Sequence, residues 1–264
     1  MRKKTAKIYS TISRHVNGRQ FILENKIFLN ILKQKINDSD ASVRYFNALT
    51  IQNITLDLYT ANSLVDLSAF VNIIVQRFTD ENSEILIILL SSLEHLLLLR
   101  INESQNESDG TMEALVGLFN RLNDNMNIVG HILACLVSLC QNTSGIVKAI
   151  EMNLLTTFKS LLYDTNDMIC GEMTTLMAFM TLLNDGKYRA IEFIDKLVEL
   201  AGNSANQKCR IMSIKTLTNI AEVPDSREIL LEFHSMFIED IDTCCDDFIE
   251  YHKKKLLDVI RWSP

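Results

Sequence analysis

The chain has 264 residues, is 47% hydrophobic and carries a formal net charge of −7. That supports one large domain or an array of repeats. It holds only 2 Pro and 8 Gly, and Pro264 is the last residue, so Pro224 alone punctuates the interior. Sheet proteins need many Gly and Pro turns where helix pairs need few, so a β fold is excluded and the chain reads as all-α.

The first 44 residues hold ten Lys/Arg against three acids, a local charge of +7, which leaves −14 for the remainder. "MRKKTAKIYSTIS" is basic, but no apolar segment follows it as in a secretory signal. Residues 2–16 are expected to form the last helix of a repeat whose first two helices are missing. Thr5, Ile8, Tyr9, Ile12 and Val16 fall at i, i+3 and i+4 and make an apolar stripe. Lys3, Lys4, Lys7, Ile8 and Ile12 form a candidate N-terminal docking surface for an acidic partner, and a solvated basic face is the other reading. Solenoid ends need a polar cap. This end therefore belongs to a longer array cut short, or a partner or second copy covers it. Aromatic residues are few and no nucleic-acid-binding signature accompanies the basic end, so nucleic acid is not expected as a partner.

From residue 17 onward one pattern repeats. An apolar helix ends, a short turn rich in Asp, Asn and Ser follows, and a more apolar helix begins. The turns are "INDSD" (36–40), "TDENS" (79–83), "NDNMN" (123–127), "YDTND" (163–167) and "GNSAN" (202–206). These residue types cap helix N-termini by accepting orphan backbone N–H bonds. With Asp38, Asp80, Asp124, Asp164 and Asn203 as markers, the steps are 42, 44, 40 and 39. A period near 40 with two or three helices per unit is the pattern of armadillo and HEAT arrays. Each unit reads as a short first helix (18–25, 186–193), a second helix (26–36, 112–122) and a buried third. In the 26–36 helix the apolar set is Ile27, Leu29, Ile31, Leu32 and Ile36. The expected architecture is a right-handed α-solenoid, a single elongated domain over 1–264. Its partial repeat is 1–16, and its repeats are about 17–57, 58–101, 110–143, 144–185, 186–223 and 224–264. Residues 101–111 and the acidic run 239–247 are expected as linkers.

The third helices align on a recurrent polar residue between apolar neighbours: Asn53, His95, Ser138, Thr181 and Asn219, at steps of 42, 43, 43 and 38. Asp258 extends the series by 39. In an armadillo repeat the last helix lines the concave face, so these five are the candidate concave-face partner-binding residues. A chance boundary position on an amphipathic helix explains any one of them. Five in register are harder to explain that way.

The run 85–101 contains Glu94 and His95 and falls short of the ~20 residues of a membrane span, so a buried helix is expected and no membrane partner. Cys135, Cys140, Cys170, Cys209, Cys244 and Cys245 form no CxxC, and read as small buried hydrophobes in a reducing compartment. The N-x-S/T triplets at Asn53, Asn102, Asn106 and Asn142 read as chance. His15, His95, His131, His234 and His252 show no metal-ligand spacing, and no phosphate loop, GxGxxG or GxSxG occurs. No catalytic, cofactor or metal site and no small-molecule substrate are therefore expected. A non-enzymatic scaffold that binds other proteins remains.

Two blocks carry a resemblance. One is "NDGKYRAIEF" with "RIMSIKTLTNIAEVPDSREIL", through Gly186, Lys187, Tyr188, Ala190, Glu192, Lys215, Leu217, Thr218, Ala221, Glu222, Pro224 and Arg227. The other is "RKKTAKIYSTISRHVNGRQFILEN" continued by "NDSDASVR", through Arg2, Lys4, Thr5, Gly18, Arg19, Phe21 and Leu23. Their order and spacing resemble the radial spoke head 14 homolog (rhabdoid tumour deletion region) family, most weakly between about 56 and 180. The resemblance implies an all-helical armadillo protein of the cytoplasm, in the axoneme of motile cilia and flagella, as part of the radial spoke, with spoke subunits as partners and no enzyme activity. The competing class is a soluble cytosolic or nuclear armadillo adaptor that binds a peptide or helix in its concave groove. An importin-type groove pairs each Asn with a Trp four residues earlier. Here those positions are Leu49, Ser91, Ala134, Met177 and Lys215, so nuclear import is disfavoured.

Overall fold

The computed structural model describes residues 1–56, 67–99, 110–203, 205–242 and 246–262. Most of the expected linker 101–111, together with Asn102, Asn106, Cys244 and Cys245, lies outside these residues. The chain divides into two compact units, Met1–Leu139 and Cys140–Pro264.

In the first unit the order is α1 (Arg2–Ile12), α2 (Val16–Glu24), α3 (Lys26–Lys35), α4 (Ala41–Thr55), α5 (Leu67–Gln76), α6 (Ser83–Leu99), α7 (Thr111–Leu122) and α8 (Met126–Leu139). The third helices α1, α4, α6 and α8 pack side by side in that order, and second helices such as α5 and α7 cover one flank. In the second unit α9 (Thr143–Glu151), α10 (Leu154–Phe158) and α11 (Asp167–Met180) form one repeat. The next is α12 (Asn184–Ala190), α13 (Ile194–Asn203) and α14 (Gln207–Ile220), and the last is α15 (Pro224–Ile229), α16 (Ser235–Glu239) and α17 (Asp247–Ile260). Here α11, α14 and α17 stack as the third helices. Leu86, Leu89, Leu90, Leu93 and Leu96 of α6 are fully buried, as are Leu176, Met177, Ile214 and Leu217 on α11 and α14. Over residues 85–97 the apolar run is thus interior surface shared by neighbouring repeats. Among the described residues no helix is long and apolar enough to cross a membrane.

The polar turns are the start signals of the third helices, one position later than the markers chosen from sequence or a little more. Side-chain oxygens of Asp40, Asn82, Asn125, Asn166, Asn206 and Asp246 accept backbone N–H groups two or three residues on. These caps recur every 40 to 43 residues. The markers Asp38 and Asp164 instead accept the backbone N–H of Asp40 and Asn166, at 3.0 and 2.7 Å, and hold the approach to the cap.

Repeat is locked to repeat by arginines four residues after a cap. Arg44 donates to the carbonyls of Asp38 and Ser39 and to both carboxylate oxygens of Glu81, at 2.6 and 3.0 Å. Arg210, buried, donates to the carbonyls of Ala201 and Asp242 in the same manner. A second lock is a close approach of backbones. A Cβ on Gly18 would stand 2.1 Å from the carbonyl oxygen of Ile12, and one on Gly186 2.0 Å from that of Met180. Both glycines open a first helix where it crosses the end of the preceding third helix. The four described cysteines are free and buried. Cys170 and Cys209, one repeat apart, bring their sulfurs to 3.2 Å. Their contact and burial push the Cys170 thiol up, and burial takes Cys140 up to about 12. Burial raises the Cys135 thiol as well, so Cys135, Cys140 and Cys170 are held as neutral thiols.

One expectation fails locally, at Ile27, and α1 shows which of its faces is packed. Ile27 is 70% exposed, because α3 turns Leu29 and Leu32 inward and carries Ile27 on its first, outward-facing turn. On α1 the packed face is Ala6, Ser10 and Ser13, whereas Ile8 is 56% and Ile12 37% exposed. The small side chains let α1 seat closely on α4, and of the expected stripe Tyr9 meets a ring, that of Phe28, edge-on at 5.1 Å.

Candidate functional site

The ladder residues divide between the units. Asn53 lies on α4, His95 on α6 and Ser138 on α8, while Thr181 ends α11 and Asn219 lies on α14. Asn53 and Asn219 are half-buried and make equivalent bonds to the preceding third helix. The Asn53 Nδ2 donates to the Ser10 carbonyl at 3.2 Å and the Ser13 hydroxyl at 2.9 Å. That of Asn219 donates to the Ala178 carbonyl at 3.2 Å and the Thr181 hydroxyl at 3.1 Å. This accounts for an asparagine inside an apolar helix: its amide joins the Ser13 or Thr181 hydroxyl in satisfying a carbonyl at the end of the neighbouring helix, where backbone N–H donors run out. Its own Oδ1 remains as an acceptor. Thr181 and Ser138 are buried and bond back to their own helices, Thr181 also accepting from Asn219. They therefore support the ladder from inside and do not offer a group to a partner. His95 is half-buried, with Nδ1 buried and unbonded.

Each asparagine thus contributes to repeat stacking as well as facing outward. Asn219→Ala and Asn53→Ala are each expected to lower stability by about 1 kcal/mol, the net worth of such bonds in a half-wet site. Chemical denaturation reads this. No loss in either would mean the cross-helix bonds are solvent-exchanged and carry nothing.

In the second unit the stacked third helices enclose a groove of about 280 Å³. From α11 come Thr175, Ala178 and Phe179, with Leu182 just beyond. From α14 come Met212, Lys215, Thr218 and Asn219, and from α17 His252 and Lys255. Floor and rim differ in kind: apolar Phe179, Leu182 and Met212 lie beside two ammonium groups and an imidazole. Sequence reading found Asn219 and missed the rest. Lys215 was noted as a non-Trp position and within the resembling block, His252 only for lacking metal-ligand spacing, and Lys255 not at all. Their signal is a basic residue four before the ladder position on α14 and the matching turn of α17.

Burial holds the His252 imidazole below its ordinary range, reinforced by Lys215 and Lys255. Burial does the same to His95, and to His131 with His95 adding repulsion. The unfolded chain binds these protons near the usual imidazole value of about 6.5, the folded chain only at lower pH. Between the two the unfolded state holds more protons, so stability falls as pH drops from about 7 and is fully lost from these groups below their folded values. Urea midpoints are expected to be lower at pH 5.5 than at pH 7.5, and His131→Gln/His252→Gln should flatten the difference. A midpoint that rises on acidification would contradict this.

No protein-family model matches the chain. The curated Protein HGH1 homolog of Dictyostelium discoideum is 24% identical over 167 residues, 58% of this chain and 47% of that protein. The chain spans about half the length of the curated relative it matches. A designed armadillo repeat protein superposes with a TM-score of 0.76 at 16% identity, over 88% of this chain and 100% of the other. A designed armadillo repeat protein in complex with peptide (KR)4 gives 0.74 at 16% identity, over 88% and 99%. A structure concerned with the interaction between cadherin and beta-catenin gives 0.76 at 15% identity, over 99% and 49%. At these identities the likeness is one of fold. Among the described residues the regular structure is all helical, and the chain has the armadillo-repeat fold.

Proposed function

We propose that this protein is a non-enzymatic scaffold that holds an extended segment of a partner protein in the groove on α11, α14 and α17. The observation that carries this is the groove itself: an apolar floor, unpaired cations and the Asn219 amide converge on one face of the second unit. Asn53 on α4 and His95 on α6 offer the corresponding positions in the first unit. Lys3, Lys4, Lys7, Ile8 and Ile12 form a second, exposed docking surface on α1, basic and apolar together.

The assembly proposed is the axonemal radial spoke of motile cilia and flagella, with other spoke subunits as partners. Support for this comes from the sequence blocks shared with the radial spoke head 14 family. In the structure two of their residues meet, Lys187 Nζ standing 2.5 Å from the Glu222 carboxylate across the repeat boundary. The test is the distribution of a tagged chain in ciliated cells. A spoke subunit co-purifies with axonemes and resists mild detergent. A uniform cytosolic or nuclear pool with none in axonemes would favour a soluble adaptor that uses the same groove.

A further inference from the structure

The charges of the groove define its occupant. The other cations of the second unit for which a salt bridge forms are matched: Lys187 with Glu222, Lys196 with Glu199, Lys208 with Glu172 and Arg261 with Glu239. Among the described residues Lys215 and Lys255 form no salt bridge, and the groove lining contains no Asp or Glu. The carboxylates of Glu222 and Asp258 lie in the neighbouring cleft, which Lys255 also lines. Two ammonium groups share this cleft with no carboxylate in its lining, so an anionic ligand would complement it.

The geometry adds a second condition. Adjacent packed helices lie about 8–10 Å apart, which sets the scale of the Lys215–Lys255 separation. Alternate side chains of an extended strand on one face are spaced by about 6.6 Å, so carboxylates two or three residues apart reach both lysines. A compact ion such as phosphate reaches one at a time. An apolar side chain at the next alternate position on the same face would lie over Met212 and Phe179, with a backbone N–H directed to the Asn219 Oδ1. We propose that the groove binds an extended acidic segment of a protein, in which carboxylates are interspersed with apolar residues. This rests on the reading of the groove as a partner-binding site and adds the chemistry of the partner.

The test uses the full chain and a fluorescent peptide of about a dozen residues that alternates Glu with Leu or Ala, in the pattern of an extended strand. Anisotropy should report binding that weakens with salt. Replacing every Glu by Gln should weaken binding by about tenfold or more, the scale of one or two charge-assisted contacts. Lys215→Glu/Lys255→Glu, checked for an unchanged melt, should do the same, while Lys26→Glu/Lys159→Glu, both exposed and outside the groove lining, should not. If the Gln or Lys peptide binds as tightly as the Glu peptide and Met212→Glu abolishes it, the groove stands and the acidic preference is wrong. If the Glu peptide binds but ignores Lys215 and Lys255, the site is elsewhere and the proposal fails. A single-stranded oligonucleotide that binds more tightly than the Glu peptide would replace the proposed partner with a nucleic acid. No binding by any of these ligands would overturn the groove reading as well.

Discussion

Glu81→Ala is expected to cost about 3–5 kcal/mol, the scale on which buried ion pairs fail when one partner is removed. Glu81 is buried at the turn before α6, and its carboxylate receives Arg44 twice, Arg77 at 3.2 Å and the backbone N–H of Asn82 at 3.1 Å. Removing it leaves the Arg44 guanidinium, its side chain 14% exposed, without its counter-ion, and leaves Arg77, at 13%, with Asp80 as its remaining carboxylate partner. Burial pushes the Glu81 carboxyl up, but the hydrogen bonds from Arg44 and Asn82, with the charges of Arg44 and Arg77, outweigh it and hold the carboxyl below its ordinary range. Its stabilisation is therefore complete above the ordinary carboxylate value, about 4.3, and is lost as pH falls through the lower folded value. Guanidinium denaturation measures the cost, and a change below 1 kcal/mol would show that water replaces the pair. The double variant Arg44→Ala/Glu81→Ala should cost less than the sum of the singles, since no buried charge is then stranded at that contact.

Gly186→Ala is the second large effect. The added methyl would meet a backbone carbonyl at 2.0 Å, and a backbone cannot rotate aside as a flexible side chain can. Either α12 lifts from the end of α11 or the Met180 carbonyl moves, and overpacking of this kind costs about 1–3 kcal/mol. Gly18→Ala should behave alike at the start of α2. Gly117 provides the control: it is exposed inside α7 with open space around its Cβ position, so Gly117→Ala should stabilise by about 0.5–1 kcal/mol. If all three variants shift stability in the same direction, the close approach at Gly18 and Gly186 is not a constraint on the fold.

These two positions show what sequence reading could and could not reach. The period near 40 was legible because each third helix needs both an apolar face and a cap, and both leave marks in composition. Gly18 and Gly186 were legible as members of similar blocks, but the carbonyl that forbids a side chain there belongs to the preceding helix. Arg44 and Arg210 repeat at four residues past a cap, a regularity visible only once the caps are known. On α1 hydrophobicity pointed to Ile8 and Ile12, while the packed face is Ala6, Ser10 and Ser13, since close helix contact selects for size over apolarity. The ladder asparagines were found by register. Their bonds to the neighbouring helix were not, because a hydrogen bond between residues about 40 apart leaves no local pattern.

The proposed binding surface is the groove on α11, α14 and α17, and methionine methyl NMR on the full 30.1 kDa chain tests it most directly. Met212 lines the groove, Met173, Met177 and Met180 are buried beneath it, and Met236 is 75% exposed outside the lining. With signals assigned by Met→Leu substitution, titration with the acidic peptide should shift the Met212 methyl strongly and saturably and leave Met236 unmoved. A shift at Met236 or Met1 with Met212 unchanged would contradict the account.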